Sequence, residues 1–358
     1  MNPKNEGGAA ATTLRLTAAR PEDVAHAAAL LRAGELVAMP TETVYGLAAN
    51  ALDPHAVASI FTAKRRPPDN PLIVHIAAPE DIAPLVAAYP PAAQKLAAAF
   101  WPGPLTVILP KSALVPDLVS AGLPTVALRI PAHPAARALL RAAGVPLAAP
   151  SANRSGSPSP TTAAHVLADL DGRLSAILDG GECSVGVEST VVTLAEGPPC
   201  LLRPGGIPPE ALRAVLGELA VSPAVTHALQ AGETAQSPGM KYKHYAPQAE
   251  LTLLTGSREA FVTYLKAHAC AEDGVLCFDE DFDGLWRRFS YGSVDDPAAQ
   301  AQQLFARLRE LDAQGLTRVF CHTPRQEGVG LAVYNRLLRA AGFRELAVDE
   351  AAPAPQKT

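Results

Sequence analysis

The apolar and polar positions along the chain follow two alternating patterns, which predict short buried strands and amphipathic helices. Apolar runs such as residues 72–77 (LIVHIA) are rich in β-branched residues and typical of buried strands. Residues 21–33 instead begin with proline and two acids and end before a glycine, which indicates a helix. Repeated alternation of the two patterns favours an α/β fold with a largely buried sheet.

These patterns assign an element to most of the chain. Strands are predicted at 14–16, 36–39, 72–77, 105–109, 125–130, near 147, and at 176–178, 189–194, 200–202, 251–254, 275–278 and 317–321. Helices are predicted at 21–33, 54–63, 82–88, 92–100, 135–143, 163–170, 210–216, 259–268, 297–313 and 331–341.

A turn-rich stretch divides the chain into two units. Residues 218–247 have no sustained helical or strand period, as expected of an interdomain linker. The chain of 358 residues also fits two domains of ordinary size. The predicted organisation is a loose tail at 1–12, a larger α/β domain at 13–217, the linker, a smaller α/β domain at 248–350 and a second tail at 351–358.

Composition narrows the class of protein. The net charge of −5 argues against a protein that holds a long stretch of nucleic acid, which would be basic. The five cysteines are scattered and form no CxxC pair, so free thiols are expected rather than disulfides or a zinc site. Neither a signal peptide nor a run of 18 apolar residues is present, so we expect a cytoplasmic protein without a membrane span.

The common catalytic motifs are missing from the sequence. It contains no Walker A loop, no complete G-x-G-x-x-G, no HExxH and no G-x-S-x-G. These absences argue against the usual P-loop, dehydrogenase, metalloprotease and hydrolase interpretations. Three polar clusters at predicted strand or helix ends remain as candidate sites.

Each cluster permits two interpretations. Residues 40–47 (PTETVYGL) follow an apolar strand, where α/β folds bind ligands, but they also suit a helix-capping loop. Residues 64–71 (KRRPPDNP) can neutralise a polyphosphate or simply form a solvated helix end. Residues 149–156 (APSANRSG) can hydrogen-bond a phosphate or ribose, or form an ordinary Ser/Pro-rich turn.

The order of the clusters resembles the threonylcarbamoyl-adenylate synthases, or YrdC-like family. The matching elements are PTETVYGL, the K-x-R of Lys64 and Arg66 with NPL (70–72), WPGPLT (101–106), the Arg129 segment, the S-x-N of Ser151 and Asn153, GVEST (186–190) and LRPGG (202–206). SPGMKYKHYAP (237–247) and GVGLAVYNRLLRAAG (328–342) resemble the linker and C-terminal end of the long, two-domain form. Arg65 departs from the glycine that relatives often have there.

The resemblance implies a fold and a reaction. The fold would be a twisted mixed-sheet domain joined by an ordered linker to a smaller Rossmann-like domain. In this family, threonine, bicarbonate and ATP, with Mg²⁺ as the expected helper, give threonylcarbamoyl-AMP and pyrophosphate. A separate transferase complex then modifies tRNA with the product, so direct tRNA binding by this protein would be weak or absent, and no membrane is involved.

The resemblance also implies roles for individual residues. Catalysis would depend on Lys64, Arg66, Ser151 and Asn153. ATP would contact Arg66, Asn70, Thr125, Ser151, Ser159, Arg203 and Tyr242. Threonine would contact Thr43, His75, Arg129, Ala149 and Ser189, with Arg129 pairing its carboxylate. The linker residues Tyr242, His244 and Tyr245 would form either a lid over the nucleotide or a docked connection.

Three other functions are alternatives to this one. Carbamoyl-transferring maturation factors of metalloenzymes share the domain but carry CxxC repeats, which this sequence lacks. An RNA- or nucleotide-binding protein without catalysis is a second alternative, which the net charge of −5 disfavours. A third is a regulatory protein that binds threonine and ATP but releases no pyrophosphate.

Overall fold

A computed structural model describes residues 12–228, 245–281 and 286–349. Its strands are β1 (Leu14–Thr17), β2 (Val37–Met39), β3 (Gly46–Asn50), β4 (Ile73–His75), β5 (Leu105–Pro110), β6 (Thr125–Arg129), β7 (Leu147–Ala148), β8 (Ala176–Asp179), β9 (Thr190–Thr193), β10 (Cys200–Arg203), β11 (Ala220–Val221), β12 (Glu250–Thr255), β13 (Gly274–Cys277), β14 (Arg287–Ser290), β15 (Arg318–His322) and β16 (Glu345–Ala347). Its α-helices are α1 (Pro21–Arg32), α2 (Pro54–Lys64), α3 (Pro91–Phe100), α4 (Asp117–Ser120), α5 (Pro134–Ala143), α6 (Ala163–Leu170), α7 (Pro209–Leu216), α8 (Arg258–His268), α9 (Pro297–Ala313) and α10 (Gly330–Ala340).

The first domain is built on a mixed sheet of 11 strands in the order β1-β8-β2-β3-β7-β4-β6-β5-β9-β10-β11. Strand β4 runs parallel to β6 and antiparallel to β7, while β5 runs parallel to β9. This register brings the carboxyl ends of β4 and β6 to the same edge as the amino end of β9. Side chains at those positions therefore face one region of the molecule.

The second domain has a smaller sheet in which all five strands are parallel, in the order β14-β13-β15-β12-β16. Helices α8, α9 and α10 connect its strands, as parallel pairing requires. The predicted architecture, a mixed-sheet domain followed by a smaller Rossmann-like domain, is confirmed.

The two domains share a hydrophobic cluster. Val44 and Val187 of the first domain are buried in it together with Phe305 of α9 and Leu337 of α10. Gly186 lies against the main chain of α9 at residues 301–302 and has a φ of +78°. A side chain there would collide with that helix, so glycine at this position permits the close approach of the two domains.

Most predicted elements are confirmed to within two residues, but the helix at 82–88 is wrong. Residues Pro79–Ile82 form a single 3-10 turn, and Val86 pairs with Lys111 in an isolated bridge. Continuing the turn from Pro79 as an α-helix would need the N–H of residue 84, which is a proline and has none.

The sequence pattern also missed five short elements. Strand β3 is rich in alanine and glycine, the edge strand β14 is largely polar, and the edge strand β16 has only three residues, all exposed; the remaining two elements are β11 and α4. Short polar or small-residue strands form because neighbouring strands pair with them, which local propensity does not record. Much of the predicted linker, at 229–244, lies outside the described residues. Among the described helices, none has the length and apolarity that a bilayer crossing needs.

The close contact at Gly186 leads to a test of domain docking. We expect Gly186→Ala to lower the free energy of unfolding by about 2–4 kcal/mol, because overpacking adds to left-handed strain. Gly197→Ala is the matched control, since Gly197 has a φ of +66° but no neighbour within 4 Å of an added Cβ. Urea unfolding of both variants measures the difference, and equal losses would contradict the proposed role of the contact.

Candidate active site

The three polar clusters converge on one open cavity of about 720 Å³, with the solvent at its mouth included. Its walls come from segments that follow or precede strands of the large sheet and from the carboxyl end of α2. The residues that line it are Thr41, Thr43, Val44, Gly46, Lys64, Arg66, Ile73, His75, Arg129, Ala149, Pro150, Ser151, Asn153, Ser155, Gly156, Ser157, Glu188, Ser189, Arg203 and Tyr245.

The turn after β2 is fixed by the hydroxyl group of Thr41. This oxygen accepts the N–H groups of Thr43 and Val44 and donates to the Val44 carbonyl at 2.7 Å. Because its proton is used there, the Thr43 hydroxyl is the donor in the 2.7 Å contact between the two threonines. The segment leads into β3, so the helix-capping interpretation of this cluster is wrong.

Arg129, at the end of β6, is held from several sides. It donates to Glu42 Oε1 at 2.6 Å, to Thr43 Oγ1 at 2.8 Å and to the Gly103 carbonyl at 3.2 Å. The other oxygen of Glu42 accepts the Ala132 N–H at 3.0 Å. Burial would raise the pKa of Glu42, but the Arg129 guanidinium outweighs it and lowers that pKa. These contacts use three of the five N–H groups of Arg129, so two can still bind a ligand.

His75 lies beside Arg129, because the two residues are register partners at the ends of β4 and β6. Burial, together with the positive charge of Arg129, lowers the pKa of His75 to about 3. The imidazole is therefore neutral near pH 7. Its Nδ1 atom has no hydrogen-bond partner among the described residues.

Ser189, just before β9, lies further along the same edge of the sheet. Its hydroxyl lies 2.7 Å from the Thr106 hydroxyl, and its Oγ and carbonyl oxygen accept hydrogen bonds from Arg203. Burial lowers the pKa of Arg203 to about 10, which leaves it charged near neutral pH. A side chain at Gly205 would collide with the main chain at 188–190, so this glycine brings the two segments together.

Lys64 is buried at the end of α2, where the solvated-helix-end interpretation is wrong. Its Nζ donates to the carbonyl oxygens of Ser151 and Asn153 and to Asn153 Oδ1. Arg65 adopts a left-handed conformation with a φ of 52°, which ends the helix and leaves Arg65 exposed while Arg66 lines the cavity. Burial and the charge of Arg66 lower the pKa of Lys64, whereas the three oxygens suit its ammonium form.

The loop of the third cluster is shaped by its own polar groups. The Ser151 hydroxyl donates to Asn153 Oδ1 at 2.5 Å, as their spacing of two residues suggested. The Asn153 amide then donates to the carbonyl oxygens of Arg154 and Ser157. Ala149 contributes main chain as well, since its N–H donates to the Ile73 carbonyl at the cavity wall.

Three predicted site residues lie elsewhere. Asn70 is buried next to the cavity, and its carbonyl accepts a hydrogen bond from Arg66 at 2.9 Å. Thr125 lies at the amino end of β6, the opposite end from Arg129, and does not line the cavity. Ser159 is fully buried behind the wall, and its hydroxyl donates to Glu188. Tyr242 lies outside the described residues.

Sequence reasoning also missed contributors to this region. Ser157, just beyond the predicted cluster at 149–156, lines the cavity with Ser155 and Gly156. Their loop is held by Asn153 and by a bond from the Ser155 N–H to the Lys64 carbonyl oxygen. Arg336, from α10 of the second domain, contacts Glu188 behind the cavity. Nothing in the local sequence around Arg336 links it to residues so far away in the chain.

The charges of the cavity favour anions. Its charged lining residues are Lys64, Arg66, Arg129, Arg203 and Glu188, four cations and one carboxylate. The described residues contain no group of three or more His, Cys, Asp or Glu side chains arranged to hold a metal ion. The cavity can therefore bind one anion beside Arg129 and another beside Lys64 and Arg66.

Both domains of the chain match models of known protein families. The Sua5/YciO/YrdC family model, described as "Telomere recombination", matches residues 29–205. The model described as "Threonylcarbamoyl-AMP synthase, C-terminal domain" matches residues 207–342.

Similar full-length proteins carry the same name. A relative named threonylcarbamoyl-AMP synthase from Pyrococcus abyssi is 47% identical, and the match covers 90% of this chain and 95% of the relative. A relative of the same name from Bacillus subtilis is 46% identical, with 90% of this chain and 93% of the relative covered. The crystal structure of P. abyssi Sua5 complexed with L-threonine is 44% identical, with a TM-score of 0.86 over 94% of this chain and 99% of that one. The chain therefore belongs to the threonylcarbamoyl-AMP synthase family, in its two-domain form.

Proposed function

We propose that the protein is an L-threonylcarbamoyladenylate synthase, a nucleotidyltransferase that converts L-threonine, bicarbonate and ATP into threonylcarbamoyl-AMP and pyrophosphate. The observation that supports this most is that Arg129 and the pair Lys64 and Arg66 converge in one cavity. A carboxylate-bearing amino acid and a nucleotide phosphate would thereby be held next to each other. The names of the relatives support the same reaction.

Threonine would occupy the end of the cavity at Arg129. The two remaining N–H groups of Arg129 suit its carboxylate, which binds a planar guanidinium through two parallel bonds. The neutral ring of His75 adds no positive charge against the threonine amine. Thr43, Ser189 and the main chain at Ala149 supply the other polar contacts proposed for this subsite.

ATP would occupy the end at Lys64 and Arg66. Ser151 and Asn153 line the same wall, and we assign them to the phosphates or ribose. Beyond that wall, Asn70 and Thr125 lie near the amino ends of β4 and β6, where the nucleotide can extend past the cavity. Ser159, Arg203 and Tyr242 complete the proposed ATP contacts. Ser159 would act indirectly, because its hydroxyl donates to Glu188, which lines the cavity.

The chemistry needs little beyond positioning and charge. The threonine amine adds to bicarbonate and loses water to form a carbamate. An oxygen of this carbamate attacks the α-phosphorus of ATP, the bond from that phosphorus to the bridging oxygen breaks, and pyrophosphate leaves. Nucleotidyl transfer of this kind depends on holding the reactants in line and stabilising the developing negative charge. Lys64 and Arg66 would supply that positive charge.

Mg²⁺ would enter with the nucleotide. The carboxylates nearest the cavity, Glu42 and Glu188, are each taken by an arginine, at 2.6 and 2.7 Å. Phosphate oxygens and water would therefore form most of the coordination sphere, as is common for this ion. When bound, the ion would neutralise charge on the departing pyrophosphate.

The product has an expected destination. Threonylcarbamoyl-AMP is an activated acyl donor, and a separate cytoplasmic transferase complex would pass its threonylcarbamoyl group to an adenosine of tRNA. This assignment makes the protein the first enzyme of a tRNA-processing route, with small molecules as its direct ligands.

Pyrophosphate release tests the proposed reaction directly. With ATP and Mg²⁺, we expect the purified protein to release pyrophosphate only when both threonine and bicarbonate are present, with threonylcarbamoyl-AMP identified by mass spectrometry. Binding of ATP and threonine without release would instead favour the regulatory protein considered above.

The helix end at 64–66 offers a charge-matched mutational test. We expect Lys64→Met and Arg66→Met each to lower kcat/KM roughly a hundredfold or more, because each removes a positive charge beside the proposed phosphate site. Arg65→Met removes the same charge from the exposed residue between them and should retain activity within about threefold. Similar losses in all three variants would mean that only the net charge of this helix end matters.

Arg129 tests the threonine subsite. Arg129→Lys keeps a charge beside Glu42 but loses the planar fork, so we expect threonine to bind roughly 10–100-fold more weakly while ATP affinity changes little. Calorimetric titration with each ligand measures both affinities. Equal weakening for the two ligands would remove the assignment of Arg129 to the threonine carboxylate.

A further inference from the structure

The second domain inserts one fully buried arginine into the first. Arg336 on α10 is 0% exposed. Its Nε donates to Glu188 Oε2 at 2.7 Å, its Nη2 to the Glu188 carbonyl at 3.2 Å and its Nη1 to the Pro204 carbonyl at 2.9 Å. Arg336 therefore grips both the side chain and the main chain of a residue that lines the cavity.

Glu188 connects Arg336 to residues of the proposed substrate sites. Its second carboxylate oxygen accepts a hydrogen bond from Ser159. The next residue, Ser189, is held by Arg203 through its carbonyl oxygen and hydroxyl. The position of Arg336 thus determines how Glu188 is oriented between the two ends of the cavity.

Glu188 is also the one carboxylate among the described lining residues of a cavity that otherwise presents cations. Burial would raise its pKa, but Arg336 and Arg203 outweigh this and hold the pKa below its ordinary value. Lys64 and Tyr245 are the other titratable groups that interact with it. Without Arg336, a buried negative charge would lose its nearest partner and lie next to the proposed phosphate site.

We propose that Arg336 is a positioning residue for the active site: from the second domain, it orients and neutralises Glu188 so that the cavity accepts a polyphosphate. The identity of that polyphosphate as ATP rests on the proposed function. The catalytic cavity would accordingly be complete only when the two domains are docked.

A second interdomain ion pair provides the matched control. Arg309 of α9 donates to Asp169 at 2.8 Å and to the Pro158 carbonyl. Neither of these partners is among the described residues that line the cavity. Arg309→Gln therefore removes a half-buried interdomain contact without removing the partner of Glu188.

The test compares KM for ATP and kcat at pH 6 to 8.5 in wild type, Arg336→Gln, Arg336→Gln/Glu188→Gln and Arg309→Gln. For Arg336→Gln, we expect KM for ATP to rise at least about tenfold at pH 8. The rise should be smaller at pH 6, because the pKa of Glu188 increases without Arg336 and protonation then removes its charge. The double variant should recover most of the ATP affinity, and Arg309→Gln should lose only stability.

A readout without substrate separates this inference from the proposed function. The ¹³C resonance of the Glu188 carboxyl, assigned by its absence in Glu188→Gln, should titrate about one pH unit or more higher in Arg336→Gln. A wild type that forms no threonylcarbamoyl-AMP would refute the function, while this titration would still decide the role of Arg336. An unchanged titration and pH profile, with only a lower thermal midpoint, would show that Arg336 merely docks the domains.

If Arg336→Gln does not fold, the double variant Arg336→Gln/Glu188→Gln tests the proposal instead, because it leaves no unpaired buried charge. A KM for ATP near that of wild type would support the role of Arg336 in neutralising Glu188. A KM raised tenfold or more in the folded double variant would show that the charge of Glu188 is not what Arg336 serves.

Discussion

The ion pair between Arg129 and Glu42 ties together segments that are distant in the sequence. It joins the turn after β2 to the end of β6, and the second carboxylate oxygen of Glu42 accepts a hydrogen bond from the N–H of Ala132. An unpaired guanidinium buried as deeply as that of Arg129 would destabilise the fold. Paired with Glu42, it is held in a fixed position from which it can donate to a ligand. The other buried cations of the cavity are likewise held by acceptor oxygens of the protein.

The acceptors differ between the two ends of the cavity. Arg129 is balanced by a carboxylate, whereas Lys64 is surrounded by neutral oxygens of Ser151 and Asn153. The first end is therefore close to electrically neutral before a ligand arrives, while the second keeps its charge available. A small zwitterion suits the former and a polyphosphate the latter, which accords with the proposed placement of threonine and ATP.

The sequence predicted the architecture and most of the cavity, for physical reasons that are visible in particular residues. His75 and Arg129 were assigned to threonine through the family resemblance, and the parallel pairing of β4 and β6 brings them side by side. Ser159 and Asn70 were named through the family resemblance, and they lie behind the wall rather than on it. Arg336 escaped notice because its partner, Glu188, lies almost 150 residues away, a pairing that only the docking of two folded domains creates.

The contacts of Lys64 carry a consequence for sequence variation in the loop that it supports. Two of its three acceptors are main-chain carbonyl oxygens, which every amino acid possesses. Apart from Ser151 and Asn153, whose own hydrogen bonds shape the loop, its side chains can therefore change without loss of these two contacts. The lysine itself has no such freedom, since a shorter or uncharged residue would leave those carbonyls facing an empty space.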